Sequence, residues 1–573
     1  MPTSQEVFDQ LTGPGGGFEV THEHVKGNLM RVFKNRMKSL RDITDLAKMR
    51  GDSDEFIVYA DRRIGFETFV NQSNAIGAAL GKEFGLGQGD RLAVLSANNP
   101  EWCQSFWASV NMGAVLVGLN GWWNTDEIIY GLDDSGSKIL VADSARFDRL
   151  AGELDKLKYL EAVFITDLED TSSFGDARVM PFSSLLTLGT GLDCLVPPID
   201  EDDPAVIFYT SGTTGRPKGA ISTHRSMIAN LQDSLFIVFS SALVNPERSL
   251  MPPSGKPVGL LTSPLFHVSG CHSGLVIGMA TGLKLVMIPG KFEPEAAMKL
   301  IEQEHVSVWT AVPTMVWRVV EDPNRFSYDL SSVRSISYGG SPSGSELQRR
   351  IHETFPNVRS VGNAYGLTET SSAVTINTGD DIEIHPDSVG RALPVVEIKV
   401  VGDDGEEFGA GRVGEIHIRG PIIMPGYWNK PKETAEILSP DGWLRTGDLG
   451  YVDKDGFLFI TDRIKDMIIR GGENVYCVEI ENRLEQHPAV IEAAVIGVPH
   501  PTLGEEVKAI VRVEPGVTVS EQDIINWVAA GLAKFKVPTY VELTYTNLPR
   551  NASGKILKNI LRGTGEVSFS ETM

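Results

Sequence analysis

Apolar residues recur along this chain in two rhythms. At 68–84 they fall at helical spacing, 91–95 is an arginine followed by a short apolar run, helical spacing returns at 100–112, and 114–117 is again a short run. This alternation, which extends from 56 to about 200, predicts helices and buried strands in turn, the pattern of an α/β unit. A second such unit covers about 205–375, with helical spacing at 293–304 and a strand-like run at 306–310. From about 378 to 460 the rhythm changes. EIKVV, GEIHIRG and GFLFIT are short alternating strands parted by Asp-Asp-Gly, Gly-Ala-Gly and Asp-Lys-Asp-Gly turns, which predicts a β-rich subdomain. Beyond Asp462 a further unit follows, with a helix at 478–486, strands at 491–498 and 506–513, and a helix at 521–532. The residues up to about 30 read as a polar leader, and no internal repeat is present. The expected fold is α/β: a large N-terminal domain of two α/β subdomains plus a β-rich subdomain, then a small C-terminal α+β domain.

Composition narrows the class. A length of 573 residues with 42% hydrophobic residues is enough for several packed cores. The most apolar stretch, 274–288, is interrupted by Gly278, Gly282 and Lys284. It is too short to span a bilayer, so helix, turn and buried strand are expected there, and no transmembrane segment. The N-terminal residues carry acids where a secretory signal has a basic region, and they lack an apolar core. Cys103, Cys194, Cys271 and Cys477 are widely spaced, which indicates neither a disulfide framework nor a zinc site. The expectation is a reduced, cytoplasmic setting. A formal charge of −23 opposes a nucleic-acid partner, and no basic amphipathic helix calls for a membrane surface.

The chemistry concentrates first at 209–220, YTSGTTGRPKGA, directly after the apolar strand pattern at 205–208. Gly212, Gly215 and Gly219 allow sharp turns that bring N–H groups against an anion. Thr210, Ser211, Thr213 and Thr214 add hydroxyl donors and Lys218 adds charge. With the apolar-periodic run 224–235 behind it, this reads as strand, phosphate loop and helix at the carboxyl edge of a sheet. The spacing is not that of a Walker A loop, because Lys218 lies between proline and glycine.

Four more segments follow: GNAYGLTET at 362–370, WLRTGDLG at 443–450, DRIKDMIIRGGENVY at 462–476 and LPRNASGKILK at 548–558. Singly, each has a plain reading, with Tyr365 a core aromatic, Asp448 a turn acid and Lys555 a solvated charge. In this order they resemble the signatures of the adenylate-forming, AMP-binding enzymes, and in particular acyl-CoA synthetases and fatty-acid–CoA ligases. The resemblance implies ATP, Mg2+ and CoA as cofactors. It implies a nucleotide site at Thr210 to Gly215, Lys218, Gly339, Gly340, Ser341, Asn363, Ala364, Tyr365, Gly366, Thr368, Asp448 and Arg463. Tyr365 matches the ring that stacks on adenine, Thr368 a phosphate contact, Glu369 a magnesium-linked carboxylate, and Asp448 the acceptor for the ribose hydroxyls. Lys555 matches the catalytic lysine that bridges substrate carboxylate and phosphate. The family's domain boundaries imply a large domain at 1–461, a hinge at 462–465 with Lys465 as pivot, and a small domain at 466–573. Rotation about that hinge would bring Gly471, Gly472 and Glu473 to the pantetheine arm of CoA.

PLFHVSG at 264–270 resembles the segment that leads into the acyl pocket. Amino-acid-activating members often carry an aspartate at the position of His267, which lowers that reading here. His267 is either a catalytic and pocket residue or a satisfied core histidine. Val268, Trp309, Val312, Met315 and Gly339 are candidate walls for an aliphatic or aryl tail. The expected activity is ATP-dependent synthesis of acyl-CoA from a fatty or related acid. The alternatives are a fatty acyl-AMP ligase delivering to a carrier protein, an aryl-CoA ligase, a luciferase-like oxidase, or a nucleotide-binding protein that has lost the chemistry. A homodimer is compatible with all of these.

Overall fold

A computed structural model describes residues 2–194, 196–210, 216–246, 255–339, 345–514, 516–551 and 554–563. Their strands form five sheets. The first large sheet has seven strands in the spatial order Lys218–Thr223, Pro204–Thr210, Val115–Gly118, Arg91–Leu95, Ile139–Ala142, Ala162–Ile165, Val179–Pro181. The second has nine, with a parallel centre built from 258–261, 284–287, 308–311, 335–339 and 360–367.

These sheets exchange their first strands. Residues 55–65, expected to open the first subdomain, pair with Lys284–Met287 in the second sheet, and Pro204–Thr223, expected to open the second, closes the first. Periodicity reports that a segment is a strand; it carries nothing about which distant edge satisfies its hydrogen bonds. Between the sheets lie the helices Phe66–Phe84 and Pro100–Asn111, whose side chains share one core with Phe56 and Leu285 of the second sheet and with Val94 and Ile139 of the first. Every residue of Pro100–Asn111 is buried, which accounts for a helix apolar on nearly every face. Asn99 caps it by accepting from the Trp102 N–H at 2.7 Å, with Pro100 at the first helical position.

The β-rich subdomain is a four-stranded antiparallel sheet in the order 397–401, 414–419, 444–452, 458–463, and the C-terminal unit a five-stranded sheet with helices Cys477–Glu485 and Glu521–Ala529. The leader is not loose polar chain. It forms a helix, Ser4–Thr12, and a hairpin, Val20–Val25 with Asn28–Phe33, that buries Val25, Met30, Val32 and Phe33.

The apolar stretch 274–288 is helix, a left-handed turn at Gly282 and the strand Lys284–Met287, as expected. A different helix, His224–Val244, is long and apolar enough by length and composition to cross a membrane. Its first half is packed inside the protein, including the buried Asp233 and the fully buried His224, whereas Val238, Phe239 and Leu243 near its end are exposed.

Candidate active site

The side expected to take phosphates is set by a hairpin. Pro204–Thr210 runs parallel to Val115–Gly118, so Thr210 stands at the carboxyl end of the sheet. Ser211, Gly212, Thr213, Thr214 and Gly215 lie outside the described residues, as do Gly340 and Ser341. Thr210 and Lys218, which bracket the turn, are paired across the hairpin. The turn does not enter a helix directly. Residues 218–223 return as an antiparallel strand, and the helix starts at His224, capped by Thr223. Gly219 is needed for this return, because a Cβ there would meet Ile207 Cγ2 at 2.7 Å. Lys218 Nζ sits 4.8 Å from the ring centroid of Tyr427, a cation–π contact.

On the nucleoside side, Asn363, Ala364, Tyr365 and Gly366 lie on the strand Ser360–Leu367. Gly339, on the neighbouring strand, allows close approach, since a Cβ there would meet Ala364 O at 2.4 Å. The Tyr365 hydroxyl donates to Asp448 Oδ2 at 2.8 Å. Asp448 is buried and stands opposite Arg463 in the antiparallel register, with Arg463 Nε 3.1 Å from Oδ1. Both oxygens of this carboxylate therefore have a partner, one neutral and one cationic, and a vicinal diol would share them. Burial and the neighbouring carboxylate hold the Tyr365 hydroxyl well above the ordinary tyrosine range, so it stays a donor.

Thr368 and Glu369 open a single 3-10 turn, Thr368–Thr370. Behind it Ser371 and Ser372 have φ of 53° and 124°, conformations that L-residues seldom adopt. Buried polar groups hold them there. The Ser371 hydroxyl donates to Ser226 Oγ at 2.9 Å, Thr370 Oγ1 donates to Ser372 O at 2.7 Å, and His272 Nδ1–H donates to Ser371 O at 2.9 Å. His272 sits in a π-helical turn, Cys271–Val276, and burial pushes its pKa down to about 4, so it is neutral.

Lys555 reaches this cleft from the C-terminal unit. Its loop is closed on itself: Lys555 N–H donates to Asn551 Oδ1, Asn551 N–H donates to Lys555 O, and Arg550 Nη1 donates to Gly554 O at 2.6 Å. Gly554 has φ of 79°, and a Cβ there would meet Thr314 Oγ1 at 2.5 Å, so the loop is seated against the start of the helix Pro313–Val320. Burial and then the Arg463 guanidinium lower the Lys555 pKa to about 8, against the opposing pull of Asp448 and Glu369. Lys218, Arg463 and Lys555 thus supply positive charge locally in a chain of formal charge −23.

The expected acyl walls divide. Burial and, after it, the Lys555 charge bring the His267 pKa to about 4, and its Nε2 has no hydrogen-bond partner among the described residues. Its ring packs 4.6 Å from Phe266, whose ring meets Trp122 at 5.4 Å. Val268 is partly buried beside these, and Val312 lies against the seat of Gly554. Met315 is buried one turn further along that helix. Trp309 has no exposed surface; it packs between Phe292 and Phe355, and Nε1 donates to Thr262 Oγ1 at 3.0 Å. Trp309 shares one buried apolar cluster with Val312 and Met315.

The expected hinge is a turn. Asp462 accepts from the backbone N–H groups of Arg463 and Cys477, and burial raises its pKa to about 6. Lys465 follows on the exposed side of this turn. Gly471 and Gly472 form the hairpin turn between Ile468–Arg470 and Glu473–Val475, and they and Glu473 are exposed. They are not gathered with the other site residues.

A family model described as AMP-binding enzyme matches residues 45–428, and one described as AMP-binding enzyme C-terminal domain matches 479–555. The chain belongs to the AMP-binding enzyme family. Feruloyl-CoA synthase of an Amycolatopsis species is 34% identical over 83% of this chain and 89% of its own length. A long-chain-fatty-acid–CoA ligase of Bacillus subtilis is 30% identical over 91% of this chain and 94% of its own. Among solved structures, the anthranilate CoA ligase AuaEII in complex with anthranoyl-AMP superposes with a TM-score of 0.82 at 25% identity, covering 92% of this chain and 97% of that one. This AMP-binding enzyme is an acyl-CoA ligase, with a large N-terminal and a small C-terminal domain.

Sequence reasoning missed Tyr427, whose hydroxyl donates to Glu369 Oε1 at 2.7 Å, and Thr314, against which the Lys555 loop rests. Pro425-Gly426, just before Tyr427, was the available signal of a built turn. Nothing local marks Thr314.

Proposed function

We propose that this AMP-binding enzyme activates a fatty or related carboxylic acid as its acyl-adenylate with ATP, releasing pyrophosphate, and then transfers the acyl group to CoA. A carboxylate is a poor acyl donor because oxide must leave. As an acyl-adenylate it has AMP as leaving group, and a thiol can displace it. In the first step the substrate carboxylate and the α-phosphate are both anions, so positioning and charge neutralisation dominate. Lys555, protonated at neutral pH, bridges them; Asp448 receives the ribose diol, Tyr365 lies against the base, and Lys218 faces the phosphates.

The donor set fits one divalent cation carried by ATP. Glu369 Oε1 is taken by Tyr427, and Oε2 makes no hydrogen bond or ion pair with a described residue. Among the described residues no cluster of three or more His, Cys, Asp or Glu could hold a metal alone. Mg2+ commonly binds through one carboxylate and substrate phosphates, and when bound it neutralises the departing pyrophosphate.

The observation that carries this reading is the meeting of Lys555 with Asp448, Arg463 and Glu369 while Gly471 to Glu473 remain at the surface. That arrangement suits adenylation. Thioester formation then requires the small domain, 466–573, to turn about 462–465 so that the glycine hairpin replaces the lysine. A neutral His267 beside Phe266 suits an uncharged tail. A second reading, an aryl acid, is favoured by the Trp122, Phe266 and His267 ring series.

The test is a mass-spectrometric product assay with ATP, Mg2+ and acids from acetate to palmitate plus aryl acids, with and without CoA. Acyl-CoA and AMP are expected. Acyl-AMP that persists in the presence of CoA would replace this reading with a carrier-dependent ligase, and absence of turnover with every acid would replace it with nucleotide binding alone.

A further inference from the structure

Tyr427 joins two groups that the proposed reaction uses separately. Its hydroxyl donates to Glu369 Oε1 at 2.7 Å, and the face of its ring lies 4.8 Å from Lys218 Nζ. The residue is 7% exposed. Its backbone is fixed on both sides. Tyr427 N–H donates to Thr434 Oγ1 at 2.9 Å, and Ile221 N–H to Gly426 O at 3.3 Å. Trp428 N–H donates to Gly219 O at 2.7 Å, and Ala220 forms a β-bridge with Tyr427. The same segment holds the Glu369 turn, with Met424 N–H donating to Glu369 O at 2.9 Å. Gly426, with φ of 153°, lets the chain pass Thr434, which a Cβ would meet at 2.8 Å. The segment 424–428 is thus stitched to the returning strand of the phosphate hairpin and to the 3-10 turn of Glu369, and Tyr427 is its one side chain that reaches both functional groups.

We propose that Tyr427 is a positioning residue that sets the Glu369 carboxylate for the cation carried by ATP and holds Lys218 toward the phosphates. The proposal rests on the adenylation reading above. By occupying Oε1 with a neutral donor, the tyrosine leaves Oε2 for the cation without introducing a competing positive charge. A lysine or arginine in its place would neutralise the carboxylate and weaken its hold on a metal. The ring acts on the other leg: an ammonium over an aromatic face keeps its N–H groups free for phosphate oxygens, which a carboxylate partner would not allow.

Two variants separate the legs. Tyr427→Phe keeps the ring and removes the hydroxyl, and Tyr427→Leu removes both. Binding is read without turnover, by Mn2+ paramagnetic resonance on the complex with a non-hydrolysable ATP analogue and by calorimetry of that analogue without metal. For Tyr427→Phe, Mn2+ affinity of the complex should fall about tenfold, in keeping with loss of a hydrogen bond to a charged group, while metal-free analogue affinity stays within about twofold. In the adenylation assay the same variant should need more Mg2+ for half-saturation and recover as Mg2+ is raised. Tyr427→Leu should also lose about three- to fivefold in metal-free analogue affinity, the scale of a cation–π contact. Unchanged Mn2+ affinity in Tyr427→Phe would overturn the proposal, as would equal losses of metal-bound and metal-free binding in both variants, the result expected of mere packing. A wild-type chain that binds no ATP analogue would overturn the adenylation reading itself, and is distinguishable because no variant is needed to see it.

Discussion

Replacing Gly554 by alanine should separate the two half-reactions without touching a functional group. Gly554 precedes Lys555, has φ of 79°, and faces Thr314 so closely that a Cβ would sit 2.5 Å from Oγ1 and 3.5 Å from Cγ2. Two of the three staggered rotamers of Thr314 keep a heavy atom at that place, so relief needs the third rotamer, an off-rotamer side chain or withdrawal of the loop. A left-handed backbone costs an L-residue about 1–2 kcal/mol, and an off-rotamer threonine about 0.5–1.5 kcal/mol. Both terms bear on the seated loop, because an unseated loop can relax its backbone and has no Thr314 beside it. A penalty of about 2 kcal/mol on seating corresponds to about 30-fold in the rate of the step that needs it. Pyrophosphate release should therefore fall by about that factor, while thioester formation from supplied acyl-AMP and CoA should change by less than about threefold. The double variant Gly554→Ala with Thr314→Ala retains the backbone penalty and loses the clash, so it should recover roughly a third to a half of the loss in free energy; coupling between the two sites is the quantity to extract. Equal loss in both half-reactions, or no loss in either, would refute the assignment of this contact to the adenylating arrangement.

Three further expectations can be checked in the same protein. Lys555→Ala should nearly abolish adenylate formation and spare thioester formation from supplied acyl-AMP; equal loss of both would remove the role given to this lysine. The working form of Lys555 is the cation, and its pKa is lowered to about 8, so kcat/KM for ATP in adenylation should fall as pH rises through about 8, and in a Lys555→Arg variant the residual activity should lack that limb. Glu201 binds Arg36 at 2.9 Å and Arg225 at 2.5 Å, both nearly buried, and also pairs with Lys38. Glu201→Ala leaves two guanidinium groups short of charge, although Glu23 and Asp202 remain, and should cost about 3 kcal/mol of stability. Denaturant midpoints report this, and a shift equivalent to under about 0.5 kcal/mol would show the network to be solvent-relaxed.

The family was legible in short local strings, because a glycine-rich turn, a lysine-bearing loop and a strand acid each depend on neighbours a few residues away. Thr210 and Lys218 pair across their hairpin, Tyr365 donates to Asp448, and Gly554, just before Lys555, adopts a left-handed conformation. Element types were legible for the same reason: apolar period is a local property, and Arg91–Leu95 and the helix from Pro100 follow it directly. What the sequence did not determine is which strand completes which sheet. The exchange of 55–65 and 204–223 between the two large sheets is a choice among distant edges of equal local quality. Trp309 shows the same limit at one residue, since its strand is evident but the face that meets the core is decided by the layers packed around it. Tyr427 and Thr314 are the clearest cases. Each is an ordinary residue in its own segment and acquires a role only when Glu369, Lys218 or Gly554 is folded against it. Local strings can fix a residue's chemistry, but the distances between strings are set by the packing of whole layers, and only the tertiary structure supplies them.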